Sequence, residues 1–210
     1  MIPLMHDFEG ECVLVFGGGP VGARKARRFA QEATVVVVSP RFEGDAFGGA
    51  QRVRAAPTPD SVDGWLARCE PALAVAATDD PELNEAVERA ASARGILRNR
   101  ADESGSRDIG SVVVPATVRD DPVVVSVSTG ATSPTVSRFL RQELEPVVDG
   151  TGEMAELTGS LRAELSGPDR REALRSVVRT EAVWKALDSE GTNARQVATD
   201  VITDVTGESK

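Results

Sequence analysis

Six residues near the start of the chain carry its clearest chemical pattern: Gly17-Gly18-Gly19-Pro20-Val21-Gly22. The spacing is Gly-x-Gly-x-x-Gly. It follows the apolar run Cys12-Val13-Leu14-Val15-Phe16 and precedes a segment with helical periodicity. Gly17 permits a tight turn, Gly19 permits close approach of a pyrophosphate, and Gly22 permits close helix packing. Amides exposed at the start of a helix favour phosphate charge. Gly17, Gly19, Pro20, Val21 and Gly22 are therefore candidate dinucleotide contacts. Arg24 and Lys25 are either phosphate contacts or solvated helix residues. At the end of the second strand, where an acid often meets an unphosphorylated ribose, the chain reads Val38-Ser39-Pro40-Arg41. Ser39, followed by Pro40, can hydrogen-bond a hydroxyl. Arg41 can approach a 2′-phosphate and Glu43 would oppose it, which leaves NAD and NADP both open.

Little else in the chain suits proton or metal chemistry. His6 is the sole histidine and lies in a polar N-terminal segment, where an incidental role is expected. Cys12 and Cys69 form no CxxC pair, so neither a disulfide framework nor a thiolate metal site is indicated. No metal ligands are assigned. The formal charge is -9, from 24 basic and 33 acidic residues. Lys25, Lys185 and Lys210 are the only lysines. Such a surface repels nucleic acid. No apolar stretch has the length of a membrane span and no secretory pattern is visible, so a cytoplasmic protein is expected.

The elements that must position these residues follow from periodicity. Apolar strands are expected at 11–16, 35–38, 72–77 and 96–97, with a weak one near Val53 and Ala55. Helices are expected at 21–32, 61–68 and 81–94. This alternation predicts an α/β fold, a Rossmann-like doubly wound parallel sheet. Runs 111–118 and 122–128, joined by Arg119-Asp120-Asp121, read as an antiparallel pair. A helix capped by Ser133 should run toward Glu145 and stop before Pro146. Beyond Gly150, three amphipathic helices are expected, the second carrying Ala173, Leu174, Val177, Val178, Trp184 and Leu187 on one face. The organisation is a dinucleotide-binding domain at 1–110, a small α+β dimerisation and substrate region at 111–149, and C-terminal helices at 150–210.

Five blocks in order add a specific resemblance. Gly17 to Lys25, Ala76-Ala77-Thr78-Asp79-Asp80 with Asn84, Asn99-Arg100-Ala101-Asp102, Val114-Pro115-Ala116, and Ser128-Thr129-Gly130-Ala131-Thr132-Ser133-Pro134 followed by Arg138-Phe139-Leu140-Arg141 resemble the precorrin-2 dehydrogenases. That family includes the dehydrogenase part of siroheme synthase and related dehydrogenase–ferrochelatases. The resemblance covers roughly residues 7–146 and is looser in the helical tail. It implies oxidation of precorrin-2 to sirohydrochlorin, with NAD as hydride acceptor and NADP not excluded. It also implies that Thr78 and Asp79 join the cofactor site and that Asp102 handles a proton.

Asn99, Ser128, Thr129 and Gly130 would border the tetrapyrrole. Arg100, a departure from the apolar residues usual there, would join Arg138 and Arg141 as candidates to grip substrate carboxylates, with Arg119 a further one. Gly22 stands where many members have alanine, which reads as a mild change. A homodimer is implied, with its cleft beside the dimer-forming region. Two alternatives stay open: a bifunctional enzyme that also inserts ferrous iron, and a non-catalytic nucleotide-sensing regulator.

Overall fold

The computed structural model describes residues 2–100, 111–189 and 193–207. They form two compact units, Met1–Val114 and Pro115–Lys210.

The first unit is a five-stranded parallel sheet in the order β3-β2-β1-β4-β5. Its strands are β1 (Cys12–Phe16), β2 (Thr34–Ser39), β3 (Gln51–Arg54), β4 (Leu73–Ala76) and β5 (Leu97–Arg100), with helices α1 (Pro20–Phe29), α2 (Val62–Cys69) and α3 (Pro81–Ala93). β1 lies between β2 and β4, and Val13 through Phe16 are fully buried. Burial on both faces is why β1 reads as a continuous apolar run rather than an alternation. Leu14 and Phe16 pack with Val62 and Leu66 of α2 and with Leu83 and Val87 of α3. Val13 and Val15 pack on the other face with Ala23 and Ala26 of α1 and with Phe47.

The strand order departs from β1 in two directions, through β2 to β3 and through β4 to β5. The carboxyl ends of β1 and β4 thus frame the switch point where ligands of such sheets bind. The expected doubly wound fold is present.

Residues 111–112, expected to open the antiparallel pair, instead extend this sheet. Ser111 bridges Arg98 in parallel, and the Val112 N–H donates to the Arg98 carbonyl at 2.8 Å. The edge of β5 is thereby covered. Asp80 caps α3, its Oδ1 accepting from the N–H groups of Glu82 and Leu83 at 3.0 and 3.2 Å.

The second unit begins with the antiparallel pair β6 (Ala116–Asp120) and β7 (Val123–Val127) and continues as α4 (Pro134–Val148), α5 (Thr151–Glu164), α6 (Arg170–Arg179), α7 (Glu181–Leu187) and α8 (Ala194–Thr206). Two expectations need correction. α4 does not stop before Pro146 but passes through it, and the Asp149 N–H still reaches the Glu145 carbonyl at 3.1 Å. Proline removes one bond to the carbonyl four residues back. Pro146 is exposed in the last turn, where the carbonyl left without its bond is open to solvent. The helix expected to span Ala173 to Leu187 is two helices. Thr180 adopts an extended conformation between them, and the Trp184 indole N–H donates to the Val178 carbonyl at 2.8 Å, satisfying a helix-end acceptor. Met154, Leu161, Ala173, Val177, Val183, Ala198 and Ile202 form the core of the helical part.

The Asp80 cap gives a direct check on this local logic. Asp80→Ala should lower the unfolding free energy by about 1 kcal/mol in a denaturant titration, since two N–H groups of the first turn of α3 lose their acceptor.

Candidate functional site

The glycine loop is built by contacts that leave no room for side chains. Gly17 has φ +118, and a Cβ there would lie 2.1 Å from the Ala77 carbonyl oxygen. Its N–H donates to the Val38 carbonyl at 3.0 Å, while the Ala77 N–H donates to the Phe16 carbonyl at 2.9 Å. Gly17 therefore sits where the ends of β1, β2 and β4 meet. A Cβ on Gly22 would lie 1.9 Å from the Gly17 carbonyl oxygen, so α1 starts in contact with the turn that precedes it. That distance corrects the reading of position 22 as a mild exchange for alanine: here a methyl group requires the turn to move.

Gly18, to which the spacing assigns no role, is equally constrained. Its Cβ would stand 2.2 Å from the Arg41 carbonyl oxygen and 2.9 Å from both Phe42 Cδ1 and Ser39 Cβ. Gly19 differs. A Cβ there meets nothing within 4 Å among the described residues. α1 opens beside it with Pro20 at its first position, no side-chain cap and no acidic residue in the first turn. The helix thus presents bare amide N–H groups and its positive dipole end to open space. This is a cradle for a pyrophosphate, and the residues present fit a dinucleotide. Val21 is half-buried at the opening of α1 and Pro20 is exposed.

The loop after β4 is held by a side chain that was not among the predicted site residues. Asn84, 1% exposed, takes three hydrogen bonds with Thr78. Its Oδ1 accepts from the Thr78 hydroxyl at 2.7 Å and from the Thr78 N–H at 3.2 Å, and its Nδ2 donates to the Thr78 carbonyl at 2.9 Å. A buried amide must be satisfied in this way. The Thr78 side chain is thus engaged in shaping the loop, and Asp79 is left exposed beside it. In the sequence Asn84 is an isolated polar residue on the buried face of α3 and the last residue of the family-like block that begins at Ala76.

Ser39 is 6% exposed and its hydroxyl donates to the Arg41 carbonyl at 2.6 Å, turning the chain at Pro40. On β5, Asn99 is 3% exposed. Its Nδ2 donates to the Val112 carbonyl at 2.8 Å, and its Oδ1 is a buried acceptor with no partner among the described residues. Arg100 is engaged by Glu88, whose carboxylate also pairs with Arg98, at 3.2 and 3.6 Å. Asp102 lies outside the described residues.

The remaining candidates belong to the second unit. The Thr129 hydroxyl donates to the Ser133 carbonyl at 2.9 Å, accepts the Ser133 N–H at 3.2 Å and contacts the Ser137 hydroxyl at 3.0 Å. Ser133 in turn caps α4, as expected, accepting from the Val136 N–H at 3.3 Å. Gly130, at φ +62, donates its N–H to the Ser128 hydroxyl at 3.3 Å. Thr129 is therefore the internal brace of the turn, with Ser128 and Gly130 exposed on it. Arg138 is exposed and has no ion-pair partner among the described residues, whereas Arg141 pairs with Glu145. An open depression of about 540 Å³ is lined by Thr117, Val118, Arg119, Asp120, Glu145, Pro146 and Asp149. Its carboxylates make it a poor host for a polyanion.

Among the described residues no group of three or more His, Cys, Asp or Glu side chains is placed to hold a metal, and no helix is long and apolar enough to cross a membrane. Burial pushes the Cys12 and Cys69 thiols above their ordinary values, with the neighbouring Cys69 adding to the effect on Cys12. Both are poor nucleophiles at neutral pH.

Sheet order, glycine turn and bare helix end define a dinucleotide-binding protein, and the model of a family described as putative NAD(P)-binding matches residues 4–116. A precorrin-2 dehydrogenase of Methanosarcina barkeri is 31% identical over 198 residues, covering 90% of this chain and 84% of that protein. The chain belongs to the precorrin-2 dehydrogenase family. A siroheme synthase of Pseudomonas aeruginosa is 36% identical over 193 residues, which cover 89% of this chain but 38% of that protein, so the chain spans well under half of the siroheme synthases it matches. The solved structure of SirC, a precorrin-2 dehydrogenase, superposes with a TM-score of 0.69 over 97% of this chain and 100% of that one, at 21% identity. That likeness supports the fold, including the C-terminal helices.

Two glycine substitutions separate fold from binding. Gly19→Ala should leave the unfolding midpoint unchanged yet weaken dinucleotide binding at least about tenfold in a fluorescence titration, because its methyl group enters only the phosphate space. Gly22→Ala should lower stability by about 1–3 kcal/mol as well as binding, because its methyl group meets backbone.

Proposed function

We propose that the chain oxidises precorrin-2 to sirohydrochlorin. A nicotinamide dinucleotide supplies the chemistry: its ring accepts a hydride, and a proton leaves the macrocycle in the same net two-electron oxidation. The observation that carries this reading is the open Gly19 cradle at the uncapped start of α1, at the switch point of the sheet. Membership of a family whose relative is named for this activity supports it.

Within this reading the protein's work is positioning. The Gly17–Ala77 and Gly22–Gly17 contacts hold the loop so that the α1 amides meet the pyrophosphate. Asn84 keeps the Thr78 loop in one conformation beside it. We assign the buried Oδ1 of Asn99 to the nicotinamide or to the macrocycle edge, and Asp102 to the proton. Ser128, Gly130 and Arg138 are proposed tetrapyrrole contacts, with Arg138, which has no ion-pair partner among the described residues, offering its guanidinium to a carboxylate. Arg141 and Arg100 are weaker candidates, since Glu145 and Glu88 already engage them.

A homodimer in the cytoplasm belongs to the same proposal. Val136, Phe139, Leu140 and Val147 of α4 are between 39% and 67% exposed, an apolar face that a second copy would cover. Light scattering at dilute and working concentrations should give twice the 22.2 kDa chain mass. A constant monomer mass would refute the dimer.

The decisive experiment is anaerobic incubation with precorrin-2 and either nucleotide, followed by optical spectra, with ferrous iron added last to test for chelation. Sirohydrochlorin should appear before iron is added. Asp102→Ala should reduce turnover about 100-fold or more while nucleotide affinity stays within about twofold. A flat substrate assay despite clear nucleotide binding would favour the regulatory reading instead.

A further inference from the structure

We propose that Glu88 is a positioning residue of the site: by gripping Arg98 and Arg100 it holds the end of β5 so that the Asn99 carboxamide oxygen stays turned toward the ligand. This rests on the dehydrogenase reading, in which that oxygen meets the nicotinamide or the macrocycle edge. β5 reads Leu97-Arg98-Asn99-Arg100, three polar residues in a parallel sheet whose inner strands β1 and β4 are apolar runs. Arg98 is 7% exposed and Asn99 3%. Groups so deeply placed cost stability unless each is satisfied. Their partners therefore show what the strand is built to hold.

Side chains alternate across a strand. Arg98 and Arg100 are the register partners of Ala74 and Ala76, which pack on the α2 and α3 side of the sheet. Asn99 is the partner of Val75, which packs on the α1 side. One face of β5 thus carries two guanidinium groups, and the other carries Leu97 and the Asn99 carboxamide. That carboxamide is anchored at its nitrogen, Nδ2 donating to the Val112 carbonyl at 2.8 Å. Only the nitrogen can donate, so Oδ1 is the end that faces away from Val112. It is a buried acceptor with no hydrogen-bond partner among the described residues. Such an oxygen suits an N–H donor, either the nicotinamide amide or a pyrrole N–H of the macrocycle.

Glu88 ties the other face to α3. It follows Val87, a core residue of that helix, and its carboxylate meets Arg98 at 3.6 Å and Arg100 at 3.2 Å. All three side chains are 18% exposed or less. Residues two apart on a strand are separated by about 6.6 Å. Without Glu88, two like charges at that spacing lose the carboxylate they share, in a place where water cannot fully replace it. β5 is four residues long and pairs with one full strand, β4; its other edge meets only Ser111 and Val112 among the described residues. The strand end then moves toward water. Asn99 sits between the two arginines, so a shift of the strand is a shift of Oδ1. A misplacement of about 1 Å at a reacting centre can cost about 100-fold in rate.

Steady-state oxidation of precorrin-2 by the whole chain, with nucleotide affinity measured by calorimetry, tests this role. Glu88→Gln keeps the size of the side chain and removes its charge. It should lower kcat at least about tenfold while the nucleotide Kd stays within about threefold. Far-UV circular dichroism should match the parent. In an Asn99→Ala background the same substitution should change kcat less than about twofold, because a residue that acts through Asn99 has nothing left to position. Glu88→Asp, which keeps the charge one methylene further back, should fold like the parent and lower kcat about threefold, again only when Asn99 is present. If the parent turns over and kcat in Glu88→Gln is unchanged, or falls equally with and without Asn99, the role of Glu88 alone is overturned. A parent that binds nucleotide but does not oxidise precorrin-2 overturns the dehydrogenase reading and this role with it.

Discussion

The contact between Gly17 and the Ala77 carbonyl is the constraint on which the first unit depends. It joins the carboxyl ends of β1 and β4, and the Gly17 N–H ties in β2 through Val38. Because Gly17 lies so close to Ala77, α1 can begin at Pro20 with Gly22 pressed on the Gly17 carbonyl. The result is a helix whose amide end opens at the switch point with nothing of its own to cap it. Side chains at 17, 18 or 22 would push these backbones apart, and the interior packs too tightly to absorb that.

Besides the glycine contacts, short polar groups hold the turns within each unit. Asn84 organises the loop after β4, Ser39 turns the chain after β2, and Thr129 braces the turn before α4. None of these needs unusual acidity. That accords with hydride chemistry, in which a cofactor does the reacting and the protein supplies orientation and electrostatics. The charged groups divide likewise. Arg100 and Arg141 are held by Glu88 and Glu145, while Arg41, Arg54 and Arg138 are exposed without ion-pair partners among the described residues.

Much of this was legible in the residues alone. The four strongest sheet strands and the three helices of the first unit lie within a few residues of the periodicity reading, because burial on both sides of a parallel sheet leaves apolar runs. Ser133 as the cap of α4 was legible too, since capping is local chemistry. Pro146 misled because a proline ends a helix only where its missing bond is costly, and in an exposed last turn the freed carbonyl is open to solvent. Thr180 carries no breaker signal. The chain is extended there all the same, and Trp184 supplies a donor to the Val178 carbonyl at the end of α6.

By itself, the sequence determined the dinucleotide loop, the doubly wound class and the family, because spacing, period and motif order are properties of neighbours along the chain. It assigned no role to Gly18 or Arg54 and placed Asn84 only in a family-like block. Their surroundings were decided by tertiary structure. Gly18 matters because residues from a different loop press on it, and Asn84 because α3 returns over the end of β4. Strand register likewise sets Arg54 beside Ser39. The placements of Gly18 and Arg54 depend on segments far apart in sequence, whereas Asn84 reaches back six residues to Thr78, and no local pattern encodes which partner a folded sheet will bring alongside.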